Sequence, residues 1–325
     1  MSFPCLEIHL SRIRENARKL YRDCKAHGVE PVGITKVCCG QPEVARVLLE
    51  EGYRTLGDSR LENLARYDFL PCRKMLLRLP MPSRAEDVVR VADVSLNSEI
   101  ATIHALSRAA ARQGRNHGII AMLELGDLRE GCPSEEDFKA LCREVRGLPG
   151  LTLEGVGANF VCYGGAKPST GALNELLRVK AEVEDELGIS IPVVSGGSST
   201  AERLMMAGGL PRGVNQLRTG ALIQTGIGLM DEKIEGYHDD AYILKAEVIE
   251  RNTKPSMPYG ELGTDAFGHE HQWQDRGPIQ RCIVAVGRED VELECLEPLN
   301  PGVSVLGGSS DHVLLELKGD ARDYR

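Results

Sequence analysis

The sequence predicts an α/β fold in two parts: a (β/α)8 TIM-type barrel over residues 11–228, then a mostly β domain over 229–325 that also takes in a strand at residues 3–10. Three observations predict it. Short β-branched runs alternate strictly with helix-period segments, giving eight strands between Pro31 and Gly220, and strict alternation implies parallel strands joined by right-handed crossovers. An open doubly wound sheet is the competing arrangement, but no GxGxxG opens a helix, so dinucleotide binding has little support. After Gly228 helical periodicity stops, and strand-like runs lie among Gly and Pro turns.

Leu6, Ile8 and Leu10 alternate with Glu7 and His9, a half-buried strand. Ser11 is the expected N-cap of a helix whose apolar face is Ile13, Ala17, Leu20 and Cys24, ended by Gly28. PVGITKVCCG, Pro31 to Gly40, is a buried strand running out at Lys36. A helix from Gln41 or Pro42 to Glu51 precedes the strand Tyr53–Ser59 and a short helix through Glu62 and Leu64. Strand–helix pairs follow at 74–80 and 83–91, 92–97 and 98–113, 117–126 and 134–146, 151–160 and 170–187, and 189–197 and 200–208, before a last strand at 213–220. AYILKAEVIERN, QRCIVAVGRED, VSVLGG and HVLLELKG supply the strands of the second domain.

Composition excludes several classes. Hydrophobic content of 42% and charged content of 27% are those of an ordinary globular protein. The net charge of −9 and the lack of a basic stripe argue against nucleic acid. No long apolar run and no signal peptide occur, so the expectation is a cytoplasmic protein without a membrane partner. The ten cysteines lack zinc-finger spacing and read as reduced thiols.

In such a barrel the chemistry lies at the C-terminal strand ends. Lys36 ends the first strand. A lysine there either snorkels into water or, desolvated in an apolar wall, serves as a nucleophilic amine that forms Schiff bases. Later strand ends carry Gly57-Asp58-Ser59-Arg60, Arg78, Asn97, then Asp127, Arg129 and Glu130, then Asn159, Cys162 and Tyr163. SGGSST (Ser195–Thr200) and LRTGA (Leu217–Ala221) end the last two strands. Each is either an ordinary turn or a phosphate cup of glycines, hydroxyls and free N–H groups. Two such turns after strands seven and eight, with a lysine after strand one, together describe pyridoxal 5′-phosphate (PLP).

The motifs VGITKVCCG, LGDSRLEN, LRLPM, SLNSE, LGDLREG, CYGG, SGGSS, LRTGA, DAFG, DRG, VGRED and GGSSDH run in order from about Leu6 to Leu317. They resemble the fold-type III PLP enzymes of the alanine racemase superfamily, and within it the ornithine racemase-like branch. The resemblance implies PLP-dependent racemisation of a free amino acid, a basic one such as ornithine or lysine, by α-proton abstraction. It implies that Lys36 holds PLP as a Schiff base and acts as one acid/base. Ser198, Ser199, Gly220 and Ala221 would bind phosphate, Arg218 would face the pyridine nitrogen, and Arg129 would approach the phenolic oxygen and the substrate carboxylate. Ser310 and Asp311 would reach the substrate from a second subunit of a homodimer. Departures from the family pattern are Asn159 where a histidine stacks on the ring, Met122 where many members have a carbamylated lysine, Gly40 for a phosphate-holding tyrosine, and Arg288 for the opposite-face tyrosine. Tyr163 is the first candidate for the missing base, with Asp290, Asp311 and His312 behind it.

Two other readings stand beside this one. A non-catalytic PLP carrier would lack the β domain that this chain has. A metal-assisted lyase acting on D-hydroxyamino acids would need ligands, for which His269 and His271 around Glu270, or Asp311-His312, are the candidates.

Overall fold

The computed structural model describes residues 2–228, 232–265, 267–268, 270 and 272–323, the last two by backbone alone. The chain divides into two compact units, His9–Ala241 and Met1–Ile8 with Tyr242–Arg325.

In the first unit, α1 (Leu10–Ala26) leads into β2 (Glu30–Ile34), after β1 (Cys5–Ile8) in the other unit. Then follow α2 (Pro42–Glu50), β3 (Thr55–Asp58), α3 (Leu61–Ala65), β4 (Arg73–Leu76), α4 (Ala85–Val91), β5 (Val94–Asn97) and α5 (Ile100–Gln113). The series closes with β6 (His117–Met122), α6 (Glu135–Gly147), β7 (Leu151–Gly157), α7 (Thr170–Leu187), β8 (Val193–Ser198), α8 (Glu202–Met206), β9 (Gln216–Thr219) and α9 (Ala221–Thr225). Strands β2 to β9 form a closed barrel in sequence order, and β9 pairs in parallel with β2. The expected barrel is therefore the observed one.

Side-chain alternation along each strand explains its core. Val32 and Ile34 of β2, Met75 of β4, Val94 and Leu96 of β5, and Ile120 and Met122 of β6 form one buried cluster, the inward set at period two. The opposite faces meet the helices, with Ile13, Ala17, Leu20 and Cys24 of α1 fully buried. Ser11 is not the N-cap: His9 holds that position without a side-chain cap, and its N–H donates to the Ala241 carbonyl at 2.8 Å. The segment before Ala241 is fastened to α1 as well, since Asn16 donates through Nδ2 to the His238 carbonyl at 2.8 Å and accepts the His238 N–H on Oδ1 at 2.7 Å.

In the second unit, β1 pairs antiparallel with β10 (Tyr242–Lys245). The run AYILKAEVIERN, expected as one strand, is two, because β11 (Val248–Pro255) belongs to another sheet. With β12 (Pro278–Val284), β13 (Val303–Gly308) and β14 (Val313–Leu317) it forms an antiparallel sheet ordered β11-β12-β14-β13. Its core is Val284, Val286, Leu293 and Val313. The buried Glu316 is satisfied by a two-pronged bond from Arg276 at 3.0 and 2.9 Å, which holds its carboxyl below the usual range. No helix among the described residues is long and apolar enough to cross a membrane.

Candidate active site at the barrel mouth

Lys36 opens a single 3-10 turn, Lys36–Cys38, directly after β2. Its side chain is exposed, and its ammonium bonds no described residue. The turn itself is fixed. Thr35 accepts the Cys38 and Gly40 N–H groups at 3.2 and 3.1 Å, Cys39 takes a left-handed φ of 51°, and Arg66 donates to the Cys39 carbonyl at 2.8 Å.

The turns that follow the paired strands β8 and β9 are linked by a bond from the Gly220 N–H to Ser199 Oγ at 3.1 Å. Gly220 must be glycine for a steric reason: a Cβ there would stand 2.8 Å from Ile34 Cβ, at the end of the Lys36 strand. Ser198 caps the short turn after β8 and lies 3.1 Å from the Thr200 hydroxyl. Ala221 begins α9, whose first N–H groups have no partner within the helix. Arg218, in β9, is buried. It donates through Nη1 to Ser195 Oγ at 2.6 Å and through Nη2 to the Ala158 carbonyl at 2.9 Å, while its Nε–H bonds no described group. Burial lowers its pKa to about 10, which leaves it charged at neutral pH.

The loops after β6 and β7 are organised by Asp127, a buried carboxylate that sequence reasoning placed at a strand end without a role. It accepts from Asn159 Nδ2 at 3.0 Å and from the N–H groups of Cys162, Tyr163 and Gly164 at 3.2, 3.3 and 3.2 Å. No local signal marks this role, because every partner lies more than thirty residues on and arrives only through β6–β7 pairing. Asn159 is thereby held buried beside the end of β7. Arg129 is placed differently from a free fork: its Nε and Nη2 are closed on the carboxylate of Glu130, a side chain 9% exposed. Tyr163 is 76% exposed, and its hydroxyl bonds no described residue.

In the β unit, Arg288 and the 309–312 turn are brought together. The Arg288 and Glu289 N–H groups donate to the carbonyls of Ser309 and Ser310 at 2.9 and 3.0 Å. Arg288 is clasped by Glu294 and lies over the Phe267 ring. Ser310 Oγ donates to Asp311 Oδ2 at 2.6 Å, and Asp311 and His312 are exposed. Among the described residues no three His, Cys, Asp or Glu side chains are grouped to hold a metal; His269 and His271 lie outside the described residues.

The family model "Alanine racemase, N-terminal domain" matches residues 8–225. Ornithine racemase of Acetoanaerobium sticklandii is 35% identical over 327 residues, 99% of this chain and 92% of the relative. The chain belongs to the alanine racemase family. It is accordingly a racemase, an isomerase of amino acids. A second member, lysine racemase of Thermotoga maritima, is 37% identical over 320 residues, 98% of this chain and 89% of the relative. The fold is shared with solved structures of lower identity. Alanine racemase of Clostridium difficile 630 aligns at a TM-score of 0.73 and 17% identity, covering 98% of this chain and 84% of that one. D-threonine aldolase from Filomicrobium marinum aligns at 0.73 and 14%, covering 99% and 83%. The alanine racemase family depends on PLP. The barrel mouth fits such a group on its own chemistry: a lysine ammonium and a buried arginine Nε–H with no partner among the described residues, and hydroxyl and N–H donors where β8 and β9 end.

Proposed function

We propose that the chain interconverts the enantiomers of a basic amino acid, ornithine or lysine, with PLP held at the barrel mouth. The observation that carries this reading is the Lys36 ammonium, unpaired among the described residues, on a fixed turn in the same barrel mouth as buried Arg218 and the Ser199–Gly220 pair. The two nearly full-length relatives named for ornithine and lysine support the substrate class.

PLP, when bound, supplies the electron sink that makes the α-proton of an amino acid removable. The rest falls to the chain. Ser198, Ser199, Gly220 and Ala221 bind the phosphate through hydroxyls and N–H groups. Arg218 faces the ring nitrogen, and as a group that stays protonated it donates a hydrogen bond without giving up a proton. Asn159 flanks the ring. Lys36 Nζ anchors PLP and moves the α-proton on one face. Arg129 meets the substrate carboxylate, through Nη1 or by releasing Glu130. The opposite-face proton falls to Tyr163, which must turn inward from its exposed position to serve. Arg288, Ser310 and Asp311 of a second copy approach the substrate, where Asp311 suits a side-chain ammonium.

Borohydride reduction of the PLP-loaded protein, followed by peptide mass mapping, should place a pyridoxyl group on Lys36. Lys36→Ala should lose both the label and racemisation. Polarimetry on a panel of single enantiomers should show ornithine or lysine turning over faster than alanine; alanine as the best substrate rejects the basic specificity. Isotope washout in deuterated water tests Tyr163: Tyr163→Phe should slow α-proton exchange from one enantiomer only.

A further inference from the structure

We infer that Asp58 is a positioning residue that aims Lys36, acting through Thr35 before it and Gly40 after it. The inference rests on the reading of Lys36 as the PLP lysine. Asp58 ends β3 and is 0% exposed, and no described cation pairs with it. A buried carboxylate is costly unless hydrogen bonds replace its hydration, so its partners show what it is for. Oδ2 accepts from Thr35 Oγ1 at 2.8 Å. Oδ1 accepts from Asn63 Nδ2 at 2.9 Å and from the Arg60 N–H at 3.0 Å.

Two of these donors bracket the lysine turn. Thr35 is the residue before Lys36, and its own N–H and carbonyl are both engaged, to the Gly57 carbonyl at 2.9 Å and from Cys38 and Gly40. The Thr35 hydroxyl has one proton. Its shorter contact is to Asp58, so the Tyr67 hydroxyl 3.3 Å away is the donor to Thr35 Oγ1. Fixing that hydroxyl fixes the χ1 of a β-branched side chain. Asn63 lies on the other side: a Cβ on Gly40 would stand 2.5 Å from its carbonyl oxygen. One carboxylate thus bonds the residue before the turn and the residue packed against its far end, while Lys36 Nζ bonds none of these groups. A flexible lysine starting from a fixed Cα loses less freedom when its amine meets an aldehyde.

The step affected is capture of PLP. Neutral Lys36 Nζ attacks the aldehyde carbon, both its protons and the carbonyl oxygen leave as water, and a C=N bond forms. Pyridoxine 5′-phosphate separates aiming from simple integrity of the site, because it has the same ring and phosphate but an alcohol in place of the aldehyde. Asp58→Asn and Thr35→Val should slow PLP capture, read by the visible absorption band, roughly ten- to a hundredfold. The dissociation constant for pyridoxine 5′-phosphate should stay within about twofold, a change too small to reflect a lost charge-assisted bond. Thr35→Ser should restore capture. Equal losses for both ligands, or capture at the wild-type rate, overturn the inference. Thr35→Val, nearly isosteric, keeps the test open if Asp58→Asn does not fold. Wild-type protein that forms no bond to PLP overturns the cofactor assignment, and the inference with it.

Discussion

Two buried cation-forming side chains show how the barrel interior treats charge. His117 lies fully buried at the start of β6. Its Nδ1 is 3.1 Å from the Ala92 carbonyl, which only accepts, so Nδ1 carries the proton and Nε2 accepts from Ser95 Oγ at 2.8 Å. Burial lowers its pKa to about 4. The unfolded chain therefore binds the proton first, and stability is whole above the unfolded value near 6.5 and falls as pH drops from there toward 4. The loss amounts to on the order of 3 kcal/mol. About 2 kcal/mol of that falls between pH 7 and pH 5, where urea titrations should show it, and His117→Asn should flatten the slope. Burial lowers the pKa of Arg218 as well, to about 10, which still leaves it charged at neutral pH. Ser195→Ala removes its 2.6 Å partner and should cost about 1.5–3 kcal/mol of unfolding free energy, with weaker PLP binding as the guanidinium loses its anchor.

At the scale of elements, the ends of strands carry the demands. Gly40 has φ of +69°, and a Cβ there would meet Asn63 oxygen at 2.5 Å, whereas Gly114, at φ +60°, has nothing within 4 Å. Gly114→Ala should cost only the left-handed backbone penalty, about 1–2 kcal/mol, and leave PLP capture alone. Gly40→Ala should cost more and slow capture; equal costs in denaturant titrations would show that the lysine turn yields freely. The contrast also marks what a sequence makes legible. The barrel was legible because apolar period two and period 3.6 alternate along the chain, and α7 spans the expected 170–187. Lys36, Ser199 and Arg218 were legible because their place depends only on where a strand stops. Asp58 and Asp127 stood in the same strand-end inventory without a role, since the partners that give them one, Thr35 and Asn159, follow other strands of the barrel. The closing of Arg129 on its neighbour Glu130, and the outward ring of Tyr163, are side-chain orientations that spacing does not encode.

For the whole molecule, the two units divide the proposed chemistry. Lys36, Ser199, Gly220 and Arg218 belong to His9–Ala241, and Arg288, Ser310 and Asp311 to the unit completed by the pairing of β1 with β10. The proposed sharing of Arg288, Ser310 and Asp311 between copies requires a homodimer. Light scattering should give a dimer, and a fully active monomer rejects the assembly. Complementation asks whether the site itself is shared. Lys36→Ala and Asp311→Ala should each be inactive alone. If one site takes Lys36 from one chain and Asp311 from the other, mixing and re-annealing the two variants yields hybrid dimers with one intact site in two. Activity should then return to roughly a quarter of wild type under random pairing. If both residues act within one chain, each chain still carries a defect, the mixture stays inactive, and the shared site is rejected even though the dimer stands.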